Sequence, residues 1–104
     1  MEELQELAFE IIAVVGEAKQ LYMQAVTHAK NVDPEAARAD IAAGNQVMTQ
    51  AHEKHLRCIQ READGEALPF SLLFMHAEDQ LLSAELIRDM ALQLIAVYET
   101  IQKK

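Results

Sequence analysis

The sequence has few residues that interrupt a helix and almost none that cross-link a fold. Its 104 residues include three glycines, two prolines, one cysteine and no tryptophan. So few glycines and prolines leave the backbone few places to turn, which favours a small number of long helices over a sheet. One cysteine excludes an intramolecular disulfide, so the composition is not that of a secreted, cross-linked domain. We expect one all-α domain spanning residues 1–104.

Basic residues are also scarce, with nine Lys and Arg against 17 Asp and Glu and a formal net charge of −8. A domain this acidic is repelled by phosphate backbones and by anionic lipid. We therefore expect no nucleic acid and no membrane insertion, and a basic protein as the better partner. The chain opens with acidic residues where a signal sequence carries basic ones, and its uncharged runs are too short to span a bilayer. These features predict a soluble, cytoplasmic protein.

Two short segments contain the residues that end and start helices. In KNVDPEAA, Asp33 is a good N-cap and Pro34 fits the first helical position. In EADGEALPFS, Gly65 suits the left-handed position after a helix, and Pro69 is expected to open the next one. The sequence thus predicts three helices, at about residues 2–30, 33–63 and 69–102. Short connections make neighbouring helices antiparallel, so the predicted fold is an antiparallel three-helix bundle.

Apolar residues form one stripe on each of the first two helices and two stripes on the third. The second helix has a thin stripe in which Gly44 would let a neighbouring helix approach closely. One stripe of the third helix suffices to close the bundle: Leu73, Ala77, Leu81, Ala84, Ile87, Ala91, Leu94, Tyr98 and Ile101. The other, hereafter the outward stripe, consists of Leu72, His76, Asp79, Leu82, Ser83, Leu86, Met90 and Val97. A long apolar ribbon left in water marks an interface, so we expect self-association through the third helix with closed symmetry.

His76 and Asp79 are the polar members of the outward stripe. Several copies of Asp79 at a symmetry axis would need a shared proton or a bound cation, and Mg²⁺ suits carboxylate oxygens. Asp79 could equally be a polar residue that sets the helix register. His76 could be a histidine satisfied by hydrogen bonds, a metal ligand, a base, or a nucleophile that accepts a phosphoryl group. Spacing alone does not choose among these uses.

The run GEALPFSLLFMHAEDQLL, residues 65–82, resembles the lactose/cellobiose family of phosphotransferase-system IIA components. In that family GE-x-LP-[YF]-S is followed a few residues later by H-[AG]-Q-D-H-L-M. The opening ELAFEIIAVVGEAKQLYMQAV looks like the first helix of the family, and the resemblance covers essentially the whole chain.

This resemblance implies a function as well as an assembly. It implies three-helix subunits that form a homotrimer, with nine helices in all. His76 falls on the phosphorylated histidine, which accepts a phosphoryl group from the histidine phosphocarrier protein and passes it to a cysteine of a IIB component. Asp79 falls on the aspartate near the trimer axis, linked there to Mg²⁺ or another divalent cation. The process served is uptake of a disaccharide of the lactose, cellobiose or chitobiose class.

The chain departs from the family pattern beside the histidine, where it has HAEDQ instead of HAQDH. Glu78 is two residues from His76 and so points away on the same helix, whereas Gln80 lies on the same face and can donate a hydrogen bond to a phosphoryl oxygen. The departures leave two alternatives open. One is an oligomeric interaction module that does not transfer phosphate, and the other is a metal-binding helical bundle that uses His76 and Asp79.

The remaining polar candidates have simpler interpretations. His52 and His55 are three residues apart and could form half a metal site, but no further ligand spacing accompanies them. We expect a solvated His52 and a partly packed His55. His28 lies near the end of the first helix, where its charge suits the helix dipole. Cys58 has the position of a small core residue.

Overall fold

The computed structural model describes residues 2–103 and confirms the predicted three-helix bundle. The helices are α1 (Glu2–Lys30), α2 (Pro34–Ala63) and α3 (Leu72–Gln102). They form a rod with principal extents of 57 × 19 × 19 Å. α1 packs along both other helices, whereas α2 and α3 touch each other only sparsely. Among residues 2–103 no helix is long and apolar enough to cross a membrane.

The two connections follow the local sequence, with one exception. Asp33 caps α2 by accepting a hydrogen bond from the backbone N of Ala36, and Gly65 takes a left-handed φ of +92° just after α2, both as predicted. The predicted start of the third helix at Pro69 is wrong. Ser71 is extended, and its Oγ accepts from the backbone N of Phe74 at 3.1 Å, so the helix begins at Leu72. The serine cap, and not the proline two residues earlier, therefore determines where α3 begins.

The surface that α1 shares with its neighbours is lined mainly by small side chains. We call it the inner seam, and its buried members are Leu4, Leu7, Ala8, Ile11, Val15, Ala18, Tyr22, Ala25, Ala29, Ala37, Gly44, Met48, Ala51, Cys58, Ala77, Leu81, Ala84, Ala91 and Ile95. Gly44 brings α2 against the ring of Tyr22, since a Cβ at that position would lie 2.6 Å from Tyr22 Cε1. The close approach expected at Gly44 is confirmed. The Tyr22 hydroxyl donates to Asn45 Oδ1 at 2.7 Å, which satisfies the polar end of the buried ring.

The two stripes of α3 differ in exposure, as the sequence predicts. The inner one is buried or half-buried as far as Ala91, but then Ile95 is buried while Leu94 is 41% exposed. Placing Leu94 in the closing stripe was therefore wrong, and so was placing Ile101 there, since Ile101 is 60% exposed. A strict seven-residue repeat drifts by about 20° per heptad around a straight helix, so residue 94 has rotated out of the contact. The outward stripe faces solvent, with Leu72 74% and Leu86 63% exposed.

Candidate functional site

His76 occupies the second turn of α3 and is exposed. Side chains on a helix tilt toward its N-terminus, so the imidazole lies over the first turn. Two apolar neighbours are exposed there, Leu72 and Met75. The ring takes part in none of the side-chain hydrogen bonds formed among residues 3–103. His76 therefore has an accessible ring without a side-chain hydrogen bond in residues 3–103, so a docked protein can reach its nitrogen atoms.

A shallow cavity beside this turn extends the apolar surface. It has a volume of about 250 Å³ and lies where the end of α2 meets the start of α3. Its walls come from Leu4, His55, Cys58, Ile59, Glu62, Leu68, Pro69, Phe70, Ser71, Phe74, Met75 and Glu78. Because Met75 borders both the cavity and His76, a protein that reaches the imidazole would also meet this apolar depression. Leu72, Met75 and the cavity thus give the start of α3 an apolar surface next to His76.

Gln80 lies one helical turn after His76 on the same side of α3. It is half-buried, and its Oε1 accepts a hydrogen bond from Nζ of Lys19 on α1. Lys19 is not among the site residues that the sequence predicts. The two residues are 61 positions apart, and their pairing depends on how α1 lies against α3, which spacing along either helix does not reveal.

Glu78, the acidic departure from the family pattern, is bound on the other side of the helix. Its Oε2 lies 2.8 Å from Nε2 of His55 on α2. Two residues correspond to about 200° around a helix, so this carboxylate faces away from His76, as expected. The His55 ring in turn stacks on Phe74 with ring centroids 6.2 Å apart. A histidine of α2 thus holds the carboxylate by which this chain departs from the family pattern.

The pair His52 and His55 does not act as one site. His55 is partly packed, with a side chain 21% exposed, as predicted, whereas His52 is 45% exposed and lies 3.3 Å from Glu85. The two histidines therefore bind carboxylates that are seven residues apart on α3. Among the side chains that the structure describes, no group of three or more His, Cys, Asp and Glu residues is arranged to hold a metal ion.

Asp79 is exposed on the outward stripe, beside His76. Within residues 3–103 of one subunit, Asp79 belongs to no group of three or more His, Cys, Asp and Glu residues that could hold a cation. A cation at Asp79 would therefore need ligands from several copies of the chain, and it stays a prediction.

The other candidates have structural partners. Cys58 is 3% exposed, so the prediction of a small core residue is confirmed, and burial raises the pKa of its thiol. His28 Nδ1 lies 2.5 Å from Asp40 Oδ2 and ties α1 to α2 near their connection.

The comparisons with known proteins cover nearly the whole chain. The family "PTS system, Lactose/Cellobiose specific IIA subunit" matches residues 6–99. The lichenan-specific phosphotransferase enzyme IIA component of Bacillus subtilis (strain 168) is 35% identical, over 99% of this chain and 94% of its own length. The crystal structure of the PTS cellobiose-specific enzyme IIA from Bacillus anthracis superposes with a TM-score of 0.94 and 28% identity, over 97% of this chain and 93% of that one. The IIA(Chitobiose)–HPr complex of Escherichia coli, solved in solution, gives a TM-score of 0.79 and 27% identity, over 98% of this chain and 99% of that one.

Proposed function

Because the chain belongs to the family of lactose/cellobiose-specific IIA subunits of the phosphotransferase system, we propose that it carries a phosphoryl group on His76. The group is taken from the histidine phosphocarrier protein and passed to a cysteine of a IIB component during disaccharide uptake. The observation that carries this proposal is the exposed imidazole of His76, free of side-chain partners within residues 3–103 and set on an apolar surface. A relative solved in complex with HPr supports the choice of donor.

The chemistry asked of His76 is two successive displacements at phosphorus. A neutral ring nitrogen of His76 attacks the phosphorus of the donor's phosphohistidine, so one N–P bond forms while the donor's N–P bond breaks. In the second step a IIB thiolate attacks, an S–P bond forms, and His76 is released with the electron pair of the broken bond. Most of the catalysis is positioning, since docked partners need in-line geometry and stabilisation of charge on the phosphoryl oxygens.

Gln80 is our candidate for stabilising that charge. A side-chain amide one turn from His76 can donate to a phosphoryl oxygen, and hydrogen bonds to charged groups are the stronger ones. Glu78 does not oppose this role, since its carboxylate is held by His55 on the far side of α3. The acidic surface, with a net charge of −8, also suits a partner whose docking face is basic.

Assembly is the second part of the proposal. We place Asp79 at the axis of a homotrimer, where three copies would share Mg²⁺ or another divalent cation. The exposed apolar side chains of the outward stripe support this arrangement, because assembly would cover them. Asp79→Leu is expected to change the oligomer size or the melting temperature, and metal analysis of the purified protein is expected to find a divalent cation. A protein without bound cation that gains no stability from Mg²⁺ would remove the metal role.

An intact-mass assay tests the carrier function. The protein is incubated with phosphoenolpyruvate, enzyme I and the histidine phosphocarrier protein, alongside His76→Ala and, as a matched control, His52→Ala. His52 is also exposed and lies on α2. We expect one acid-labile phosphoryl group per subunit in the wild type and in His52→Ala, and none in His76→Ala. If the wild type gains nothing while a competent relative is labelled, the oligomeric interaction module becomes the better hypothesis.

A further inference from the structure

Lys19 reaches across from α1 to the side of α3 that carries His76. It is half-buried, and its ammonium donates a hydrogen bond to Oε1 of Gln80. An ammonium group has only donors, so the oxygen end of the Gln80 amide must face Lys19. The NH₂ end is thereby left to point elsewhere. The lysine thus selects one of the two orientations that an isolated glutamine amide would adopt equally well.

The orientation matters because of where Gln80 lies. Residues four apart on a helix have Cβ atoms about 5–6 Å apart, so the amide of Gln80 and the ring of His76 are neighbours. A phosphoryl group on His76 offers only acceptor oxygens, which the NH₂ end can bind and the oxygen end would repel.

We propose that Lys19 is a positioning residue for the phosphohistidine, acting through Gln80. It holds the amide with its NH₂ group toward His76, and this orientation favours the phosphorylated state. This inference rests on the proposed function of His76, and it assigns to α1 a part in chemistry that the sequence places on α3 alone. Lys19 itself forms no bond to the phosphoryl group.

The test compares Lys19→Met, which keeps most of the side-chain length but removes the charge and the donor, with Lys19→Arg, which retains both. Lys54→Met is the matched control. Lys54 is the other lysine that ties α1 to a neighbouring helix among the described ion pairs and hydrogen bonds, but it binds Glu10 at 3.2 Å and joins α1 to α2. Both Met variants change the net charge equally, so any general effect on docking of a basic donor is common to them. Circular dichroism first checks that the helix content is unchanged.

The readouts are the equilibrium of phosphoryl transfer between the phosphocarrier protein and His76, and the KM for that donor. We expect Lys19→Met to shift the equilibrium toward the donor by about tenfold, the size of a hydrogen bond to a charged group, with an unchanged KM. Lys54→Met should match the wild type, and Lys19→Arg should restore the equilibrium. Equal behaviour of Lys19→Met and Lys54→Met, or a failure of Lys19→Arg to restore, overturns the proposal.

A double-mutant cycle tests whether Lys19 acts through Gln80. The double variant Lys19→Met/Gln80→Ala should be no worse than Gln80→Ala alone, because the lysine then has no amide to orient. Additive losses would show that Lys19 acts independently and would contradict the proposal. These outcomes are distinct from failure of the carrier function, which would show as an unlabelled wild type or a labelled His76→Ala.

Discussion

The inner seam and the outward stripe reverse the usual distribution of side-chain size in a protein. Nine alanines are among the buried residues of the inner seam, and its largest fully buried side chains are Tyr22, Ile11, Met48 and Val15. The outward stripe instead carries leucine, methionine and valine, with Leu72, Leu82, Leu86, Met90 and Val97 all more than half exposed. Small residues let helices approach closely, whereas large ones gain most when they are covered.

The contrast separates what one chain achieves alone from what the proposed assembly would add. Alanine buries little area, so the inner seam defines the fold while contributing modestly per residue. Each large side chain of the outward stripe would add about 1.5–3 kcal/mol when fully covered. Folding and assembly are then linked, and we expect the melting temperature to rise with protein concentration.

The largest effect is expected from a charge in the outward stripe. Leu86 is 63% exposed in the single chain, so Leu86→Glu removes little from the subunit itself. In an assembly it would bury a carboxylate in every copy, and an unpaired buried charge is strongly unfavourable. We expect the oligomer to dissociate to monomers that keep their helix content, as measured by sedimentation equilibrium and circular dichroism.

The control is Leu92→Glu, the same chemical change at a leucine that is 45% exposed and lies about 120° around α3 from Leu86. This variant should remain oligomeric. If both variants keep the oligomer intact, the outward stripe is not the interface.

The second effect compares adjacent leucines on opposite sides of the boundary. Leu81 is 3% exposed on the inner seam, and Leu82 is 64% exposed. Leu81→Ala is expected to lower the free energy of unfolding by about 2–5 kcal/mol, through lost burial and the cavity left behind. Measured by urea denaturation in the Leu86→Glu monomer, Leu82→Ala should cost about 0.5 kcal/mol or less. Similar costs for the two would mean that the seam and the stripe do not differ as described.

A third comparison sets two glycines against each other. A Cβ at Gly44 would meet the Tyr22 ring, whereas Gly16 on α1 has nothing within 4 Å of such an atom. Gly44→Ala is therefore expected to destabilise by about 1–3 kcal/mol through overpacking. Gly16→Ala should stabilise by about 0.5–1 kcal/mol, since alanine loses less backbone entropy in a helix. Thermal melts should show a lower melting temperature for Gly44→Ala and a higher one for Gly16→Ala. A change in the same direction for both variants would contradict the close packing at Gly44.

Local sequence was sufficient for most of the fold. Asp33, Pro34 and Gly65 each have a backbone role that their chemistry dictates, so the ends of α1 and α2 could be predicted closely. The start of α3 was predicted wrongly at Pro69, because proline is also compatible with an extended loop. The N-cap of α3 is Ser71. The burial of Leu94 was predicted wrongly because a seven-residue repeat was extended too far along a straight helix.

The residues of the candidate site also divide into those that the sequence predicts and those that only the packing of the helices reveals. His76, Asp79 and Gln80 could be chosen from the sequence because they lie within five residues of one segment and match a family pattern. Lys19 and the His55–Glu78 pair could not, because each links α3 to another helix. Their partners depend on the rotation and register of packed helices, which no spacing within one helix encodes.

The smallest expected effect is the pH dependence of stability that Cys58, the single thiol of the inner seam, contributes. Burial raises the pKa of Cys58, so the folded chain keeps this proton at a pH where the unfolded thiol, with a pKa of about 8.5, has begun to lose it. The contribution of the Cys58 thiol to stability is therefore complete below about pH 8.5 and declines as the pH rises above that value. Urea denaturation of wild type and Cys58→Ala at pH 7 and pH 9.5 should show a larger loss for the wild type. Parallel losses would mean that the thiol is as well solvated in the folded chain as in the unfolded one, and the end of the inner seam nearest the cavity would then be open to water.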